Sequence, residues 1–163
     1  MTEPTIRFAG VDDAQTIFDF IHALAVYELE PDAVEATPES LREQLSADHP
    51  PFECLIAEAD GQPRGFALFF HNYSTWRGRQ GVYLEDLFVP EEYRGTGLGK
   101  ALLAALAAVA VDRGCPRLEW QVLDWNKPSI DFYESLGADV KRDWLPCRLD
   151  GEALTTLAST ASN

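Results

Sequence analysis

A glycine-rich segment directly after a strongly apolar stretch is the clearest chemical signature of this 163-residue chain. The apolar stretch, residues 82–89, is rich in residues that favour strands and carries two adjacent carboxylates, Glu85 and Asp86. The next segment, residues 94–100, places three glycines within five residues and leads into an alanine- and leucine-rich run that favours a helix. Because glycines let backbone N–H groups converge and a helix N-terminus attracts negative charge, this strand–turn–helix unit predicts a phosphate-binding site.

Two common phosphate-binding loops do not match this turn. A Walker loop has a glycine five places before its Gly-Lys pair and a Ser or Thr after the lysine, but Arg94 and Ala101 occupy those positions. The dinucleotide fingerprint fails because Lys100 and Leu102 stand where its last glycine is required. What remains is an Arg-x-x-Gly-x-Gly pattern that begins at Arg94 and ends at Gly99. A turn that binds nothing is disfavoured, because the strand, the arginine, the glycines and the helix all agree.

The other hydrophobic patterns place this turn in an α/β protein. Strands are predicted at residues 5–9, 53–59, 64–71, 82–89, 117–123, 138–142 and 146–150. Helices are predicted from residue 12 or 13 to about 27, from Thr37 onward, after Lys100, from Asn126 to Gly137, and near Leu154 and Leu157. No repeat, linker or low-complexity segment interrupts the order. We therefore expect residues 1–163 to form a single domain, a mixed sheet of about six to seven strands flanked by helices.

Composition narrows the classes of partner. The chain has 13 Lys and Arg against 27 Asp and Glu, a formal net charge of −14. Such a chain repels nucleic acids and anionic membrane surfaces and attracts cations, so neither of those two partners is expected. The three cysteines form no C-x-x-C pair, which indicates free thiols in a reducing compartment and argues against a metal site. No signal-peptide pattern precedes the first strand, and we expect a cytoplasmic protein.

A second motif gives the chain its family resemblance. Residues 126–138 read Asn-Lys-Pro-Ser-Ile-Asp-Phe-Tyr-Glu-Ser-Leu-Gly-Ala. Together with the Arg-x-x-Gly-x-Gly turn, this segment resembles the GCN5-related N-acetyltransferase (GNAT) family over nearly the whole chain. The resemblance implies the GNAT fold and acetyl-CoA as the cofactor. It also implies these cofactor-binding residues: Leu87, Phe88, Val89, Arg94, Gly95, Thr96, Gly97, Leu98, Gly99, Lys100, Asn126, Ser129 and Tyr133. The Tyr133 hydroxyl, with an ordinary pKa of about 10, would be the general acid that protonates the departing thiolate.

A narrower resemblance concerns the acceptor. The Tyr27-Glu28 pair and the Tyr-Leu-Glu-Asp segment ending at Asp86 resemble the diamine (spermidine/spermine) and thialysine acetyltransferase branch. There, such residues line a site for small cationic amines, and Trp76 matches a residue that packs on the amine chain. Carboxylates can first bind an ammonium and then accept its proton, so Glu85 is our candidate base and Asp86 a weaker substrate contact. Neighbouring strand residues point to opposite faces, so both can serve one pocket only if the strand bulges.

The loop before the central strand departs from that branch. Ser74 stands where an acid is expected, and Arg77 and Arg79 add positive charge. We therefore expect long polyamines to bind poorly, and a shorter diamine, a lysine-like amino acid or thialysine to be accepted instead. Two alternatives stay open: a protein or peptide N-acetyltransferase, and a non-catalytic acyl-CoA-binding module. The family resemblance also implies a homodimer, without indicating which surface would pair.

Overall fold

A five-stranded sheet forms the centre of the first of two structural units, Met1–Gln121 and Val122–Asn163, which are described in turn. The computed structural model describes residues 3–162. The strands follow the order β1-β2-β3-β4-β5, in which the first three pairings are antiparallel and β4 pairs with β5 in parallel. Their bounds are β1 Thr5–Phe8, β2 Glu53–Ala59, β3 Gln62–Ser74, β4 Arg79–Phe88 and β5 Leu118–Glu119.

Three helices cover this sheet: α1 Ala14–Tyr27, α2 Pro38–Leu45 and α3 Leu98–Asp112. The start of α2 follows from its sequence, because the side chain of Thr37 accepts a hydrogen bond from the backbone N–H of Ser40 and Pro38 occupies the first helical position. Short 3₁₀ turns lie at Val11–Asp13, Pro31–Ala33 and Glu91–Tyr93. The last of these connects β4 to the glycine-rich turn.

The core lies on both faces of the sheet. On one face, the apolar stripes of α1 and α2 pack on alternate strand residues, with the rings of Phe20 and Phe66 stacked at 5.3 Å. On the other face α3 lies close enough that a Cβ added to Gly65 would meet the side chain of Leu102 at 3.3 Å. Because successive side chains of a strand point to opposite faces of the sheet, each strand contributes to both cores. The α/β architecture predicted from the sequence is confirmed.

The central strand β4 carries an irregularity that matters for the site. Leu84 pairs with Phe69 of β3 and Asp86 pairs with Leu68, so Glu85 is an extra residue without a partner on β3. This is the geometry of a β-bulge. Because directly opposed residues share a face, the bulge turns Leu84 and Asp86 to opposite faces, although they are only two positions apart. Glu85 and Asp86 were expected to serve one pocket only if the strand bulges, and β4 has such a bulge.

The second unit contains α4 Lys127–Ser135 and α5 Gly151–Ala158. The sheet has five strands among residues 3–162, so the predicted count of six to seven is wrong. Residues 138–142 and 146–150 form no strand, and the strand expected at 117–123 is reduced to Leu118–Glu119. A strand is stable only beside a partner, and neither late segment pairs with any residue in the described range 3–162. The small terminal helix near Leu154 and Leu157 is confirmed as α5.

None of the helices within residues 3–162 combines the length and apolarity needed to cross a lipid bilayer.

Candidate active site

The turn after β4 has an open, donor-rich geometry. Gly95 and Gly97 adopt positive φ angles of 76° and 88°, which L side chains rarely tolerate. Gly97 is the N-cap of α3 and supplies no side-chain acceptor for the first N–H groups of that helix. No atom lies within 4 Å of the position that a Cβ on Gly95, Gly97 or Gly99 would occupy. The backbone N–H groups at the start of α3 can therefore be approached by an anion, which fits the pyrophosphate of acetyl-CoA.

Arg94 lies at the entrance to this turn and is held by its neighbours. Its Nε donates a hydrogen bond to the backbone oxygen of Val89 at 2.9 Å. Its guanidinium carbon lies 4.5 Å from the centre of the Tyr27 ring and 5.7 Å from that of Phe88. A guanidinium has further donors beyond Nε, and these suit phosphate oxygens. Arg94 thus adds a local positive charge to a strongly acidic chain.

The glycines of the turn allow a test of how the pyrophosphate would be held. We expect Gly99→Ala to raise the Kd for acetyl-CoA while leaving the thermal unfolding temperature unchanged or slightly higher. Gly99 has an ordinary helical φ and open space around it, so the added methyl group fits the protein and obstructs only a close ligand. Alanine also favours a helix over glycine by up to about 1 kcal/mol. Calorimetric titration and thermal unfolding of the same samples check both effects.

Two further variants are the controls for this prediction. Gly97→Ala should weaken acetyl-CoA binding and also lower stability, because position 97 has a positive φ. Lys100→Ala should have a smaller effect on binding than either glycine change, since we expect backbone N–H groups to be the main contacts. Equal effects from Gly99→Ala and Lys100→Ala would instead make side-chain charge the main contact.

A group of three carboxylates lies where the end of α1 meets β4. Burial, together with the negative charges of Glu85 and Glu28, raises the pKa of Asp86 to about 6. Partial desolvation also raises the pKa of Glu28. Burial and neighbouring like charges both disfavour the ionised form of a carboxyl, so its pKa shifts upward in this way. We call Glu28, Glu85 and Asp86 the acidic cluster; it is a site that a cationic ligand would neutralise.

The second half of β4 offers backbone groups to a ligand. β5 pairs with β4 only at Val82 and Tyr83, and from Leu84 onward β4 has no ladder partner on that side among residues 3–162. The backbone of the predicted cofactor residues Leu87, Phe88 and Val89 follows this point. Among residues 3–162, β4 is thus without a strand partner on this side directly ahead of the glycine-rich turn.

The structure separates Trp76 from the acidic cluster. Trp76 lies in the turn between β3 and β4 and is 91% exposed. Strand residues rise about 3.3 Å each, so this turn and Asp86 lie roughly 20 Å apart along β4. Tyr27 and Glu28, in contrast, are both at the C-terminal end of α1, where Tyr27 contacts Arg94 and Glu28 is part of the acidic cluster.

The second-motif residues lie along α4, from its N-cap to its last turn. Asn126 is the N-cap of this helix, is only 7% exposed, and accepts a hydrogen bond from the backbone N–H of Ser129 at 3.4 Å. Tyr133 follows one turn later, with its ring 5.5 Å from that of Phe132. The helix ends before Gly137, which adopts a positive φ of 92°.

Sequence reasoning missed two polar clusters. Near the glycine-rich turn, Arg64 of β3 donates a hydrogen bond to the hydroxyl of Tyr93 at 2.5 Å and stacks on its ring at 4.4 Å. Elsewhere, the Sγ of Cys115 lies 3.9 Å from Nδ1 of His71. That nitrogen also contacts the backbone oxygen of Gly81 at 2.9 Å and so carries a proton, which leaves no base for the thiol. Neither contact could be found from the sequence, because each joins residues 29 or more positions apart.

Comparison with known proteins agrees with this geometry. Residues 18–138 match the model of the acetyltransferase (GNAT) family. Thialysine N-epsilon-acetyltransferase of Sus scrofa is 40% identical over 97% of this chain and 99% of its own length. A spermidine/spermine N(1)-acetyltransferase-like protein of Homo sapiens is 34% identical over 94% of this chain and 23% of its own length. An integron cassette protein from the V. cholerae mobile metagenome superposes with a TM-score of 0.80 at 26% identity, covering 98% of this chain and all of that one.

The chain therefore belongs to the GNAT family of acetyltransferases. It is an enzyme, an N-acetyltransferase whose acetyl donor is acetyl-CoA.

Proposed function

We propose that this acetyltransferase acetylates the primary amine of a small cationic acceptor, such as a short diamine or a lysine-like compound. The acidic cluster is the observation that carries the proposal, because neighbouring carboxylates whose ionised forms are disfavoured by burial and by one another's charge favour binding of an ammonium group. The names of the relatives, which act on thialysine or resemble spermidine/spermine acetyltransferases, support the same class of acceptor. Ser74, Arg77 and Arg79, near the far end of β4, favour short acceptors over long polyamines.

The residues take distinct roles in this proposal. Asp86 and Glu28 bind the ammonium, and Tyr27 lines the same end of α1. Glu85 assists removal of the proton that the amine must lose before it can attack, either directly or through one water molecule. The thioester of bound acetyl-CoA supplies an activated acetyl group for direct transfer. The backbone N–H groups near Phe88 and Val89 hold the acetyl carbonyl at the side of β4 that has no strand partner among residues 3–162.

The proposed cofactor contacts include residues 94–100, which hold the pyrophosphate. Asn126, Ser129 and Tyr133 of α4 are the further cofactor-contacting residues that the family resemblance implies. The Tyr133 hydroxyl gives its proton to the sulfur as the thiol departs. The match to the family model runs from residue 18 to residue 138, which supports residues 1–163 acting as one acetyltransferase domain.

A panel of acceptors tests this proposal against the two alternatives. Thiol release from acetyl-CoA is followed with short diamines, lysine-like amino acids, thialysine, long polyamines and basic peptides. Turnover of the small amines, and little with peptides, is expected. Turnover of peptides alone would favour a protein N-acetyltransferase, and acetyl-CoA binding without turnover of any amine would favour a binding module.

A charge-removing variant tests the acidic cluster. We expect Glu28→Gln to raise the KM of an accepted amine by about tenfold to a hundredfold, as loss of one charged hydrogen bond costs about 1.5–3 kcal/mol. The Kd for acetyl-CoA should stay unchanged, because Glu28 contacts only the acceptor in this proposal. Glu30→Gln, which removes a nearby exposed charge outside the cluster, is the matched control. An unchanged amine KM in Glu28→Gln, for every accepted amine, would exclude Glu28 from the site.

We also propose a homodimer, and two features support it. In the second unit, Trp144 and Leu145 are 71% and 82% exposed, and such large apolar side chains favour burial against another chain. In the first, the distance along β4 keeps Trp76 from the acidic cluster of its own chain, so a Trp76 that packs on the amine would come from the second copy. Light scattering of the wild type and of Trp144→Ser tests the oligomeric state.

We further propose a cytoplasmic location, supported by cysteines 54, 115 and 147, all of which are free thiols.

A further inference from the structure

The C-terminal end of α1 lies against the arginine of the phosphate-binding turn. The guanidinium carbon of Arg94 is 4.5 Å from the ring centre of Tyr27, within the range of a cation–π interaction. Tyr27 itself packs against the core cluster on the α1 face, next to the buried Leu24. An exposed turn residue is thus in contact with a ring that the core holds in place.

Three contacts restrict the Arg94 side chain. Its guanidinium carbon lies over the Tyr27 ring of α1, the Phe88 ring at the end of β4 lies 5.7 Å away, and the backbone oxygen of Val89 accepts a hydrogen bond from Nε. An arginine that is ordered before a ligand arrives loses less conformational freedom when it binds a phosphate. Of these contacts, only the one with Tyr27 comes from outside the β4–turn segment.

We propose that Tyr27 is a positioning residue for Arg94 and thereby strengthens acetyl-CoA binding, in addition to lining the acceptor site. The inference builds on the proposed function, in which Arg94 contacts the cofactor pyrophosphate and Glu28 contacts the amine. Adjacent residues at the end of α1 then serve the two substrates separately: Tyr27 acts on the donor through Arg94, and Glu28 binds the acceptor.

The face of the aromatic ring, rather than the hydroxyl, makes this contact. Phenylalanine keeps such a face, whereas methionine fills much of the same volume without a ring. We therefore expect Tyr27→Phe to keep the Kd for acetyl-CoA within about twofold of the wild-type value, and Tyr27→Met to raise it by about threefold to twentyfold. Calorimetric titration of the full chain with acetyl-CoA, in the absence of any amine and at one fixed salt concentration, measures both.

A double-mutant cycle decides whether Tyr27 acts through Arg94. Arg94→Gln alone should raise the Kd, and Tyr27→Met should add nothing on the Arg94→Gln background, because the contact it removes is already gone. Additive effects would show that Tyr27 acts on the cofactor by another route and would overturn the proposal. So would an unchanged Kd in Tyr27→Met, or a loss of binding in Tyr27→Phe equal to that in Tyr27→Met.

Thermal unfolding of each free variant separates positioning from a loss of fold. If Tyr27→Met lowers the unfolding temperature strongly, Tyr27→Leu replaces it in the same cycle, and Arg94→Lys supplies a second cycle that keeps the charge but loses the planar stacking surface. Because no amine is present, the result is independent of the acceptor proposal. A Tyr27–Arg94 coupling in a protein that acetylates no small amine would overturn only the acceptor class, whereas normal amine acetylation with no coupling would overturn only this inference.

Discussion

Replacing Tyr133 with phenylalanine should lower kcat by about 10²–10⁴-fold, the range for removal of a general acid. The departing thiolate takes its proton late in the reaction, so the KM values for the amine and for acetyl-CoA should change little. Phenylalanine keeps the ring that lies beside Phe132 on α4, so loss of packing cannot produce the same result. Steady-state kinetics with acetyl-CoA and an accepted amine measure the effect.

The matched control is Tyr73→Phe. Tyr73 is an exposed tyrosine of β3, outside the proposed site, and loses the same hydroxyl group. We expect its kcat to equal that of the wild type. A wild-type kcat in Tyr133→Phe would reduce Tyr133 to a core aromatic, and a fall in acetyl-CoA affinity without a fall in kcat would make it a binding residue.

Local patterns were sufficient to predict the elements around the glycine-rich turn. The positive φ angles of Gly95 and Gly97, and the start of α3 at Leu98, follow from glycine content and helix propensity, which act over a few residues. The same holds for the cap at Thr37 and for the helix that begins after Asn126. In each case neighbouring side chains and backbone groups alone determine the structure.

Features that depend on distant partners could not be predicted. Residues 138–142 and 146–150 have strand-like composition, but a strand needs a neighbour, and composition does not show whether one is present. The bulge at Glu85 arises from its register against Leu68 and Phe69, which β4 alone does not specify. The contact of Arg94 with Tyr27 likewise joins residues that are distant in the chain.

The two adjacent carboxylates of β4 differ in burial, since Glu85 is exposed and Asp86 is partly buried. Asp86 faces a partly apolar environment, and its pKa is raised to about 6 by burial and by the charges of Glu85 and Glu28. Because the folded-state value exceeds that of the unfolded chain, the protonated form stabilises the fold at low pH, and this stabilisation is lost as the pH rises through about 6. Asp86→Asn should therefore be more stable than the wild type at pH 8, by about 1–3 kcal/mol, with a smaller gain at pH 5. Urea unfolding at the two pH values measures the difference.

Glu85→Gln should lower kcat/KM for the amine by about 10²–10⁴-fold at low pH, because the amine is then most fully protonated and depends most on a base. At high pH the unprotonated amine becomes abundant, so much of the defect should disappear. Asp86→Asn is the matched comparison, because it removes a carboxylate that binds the ammonium. The loss of kcat/KM in this variant should therefore persist at high pH. The variant should also lack the fall in activity that we expect of the wild type below about pH 6, where Asp86 becomes protonated. Profiles of kcat/KM against pH for the three proteins measure these effects. A pH-independent loss in Glu85→Gln, together with a loss in Asp86→Asn that recovers at high pH, would transfer the base role to Asp86.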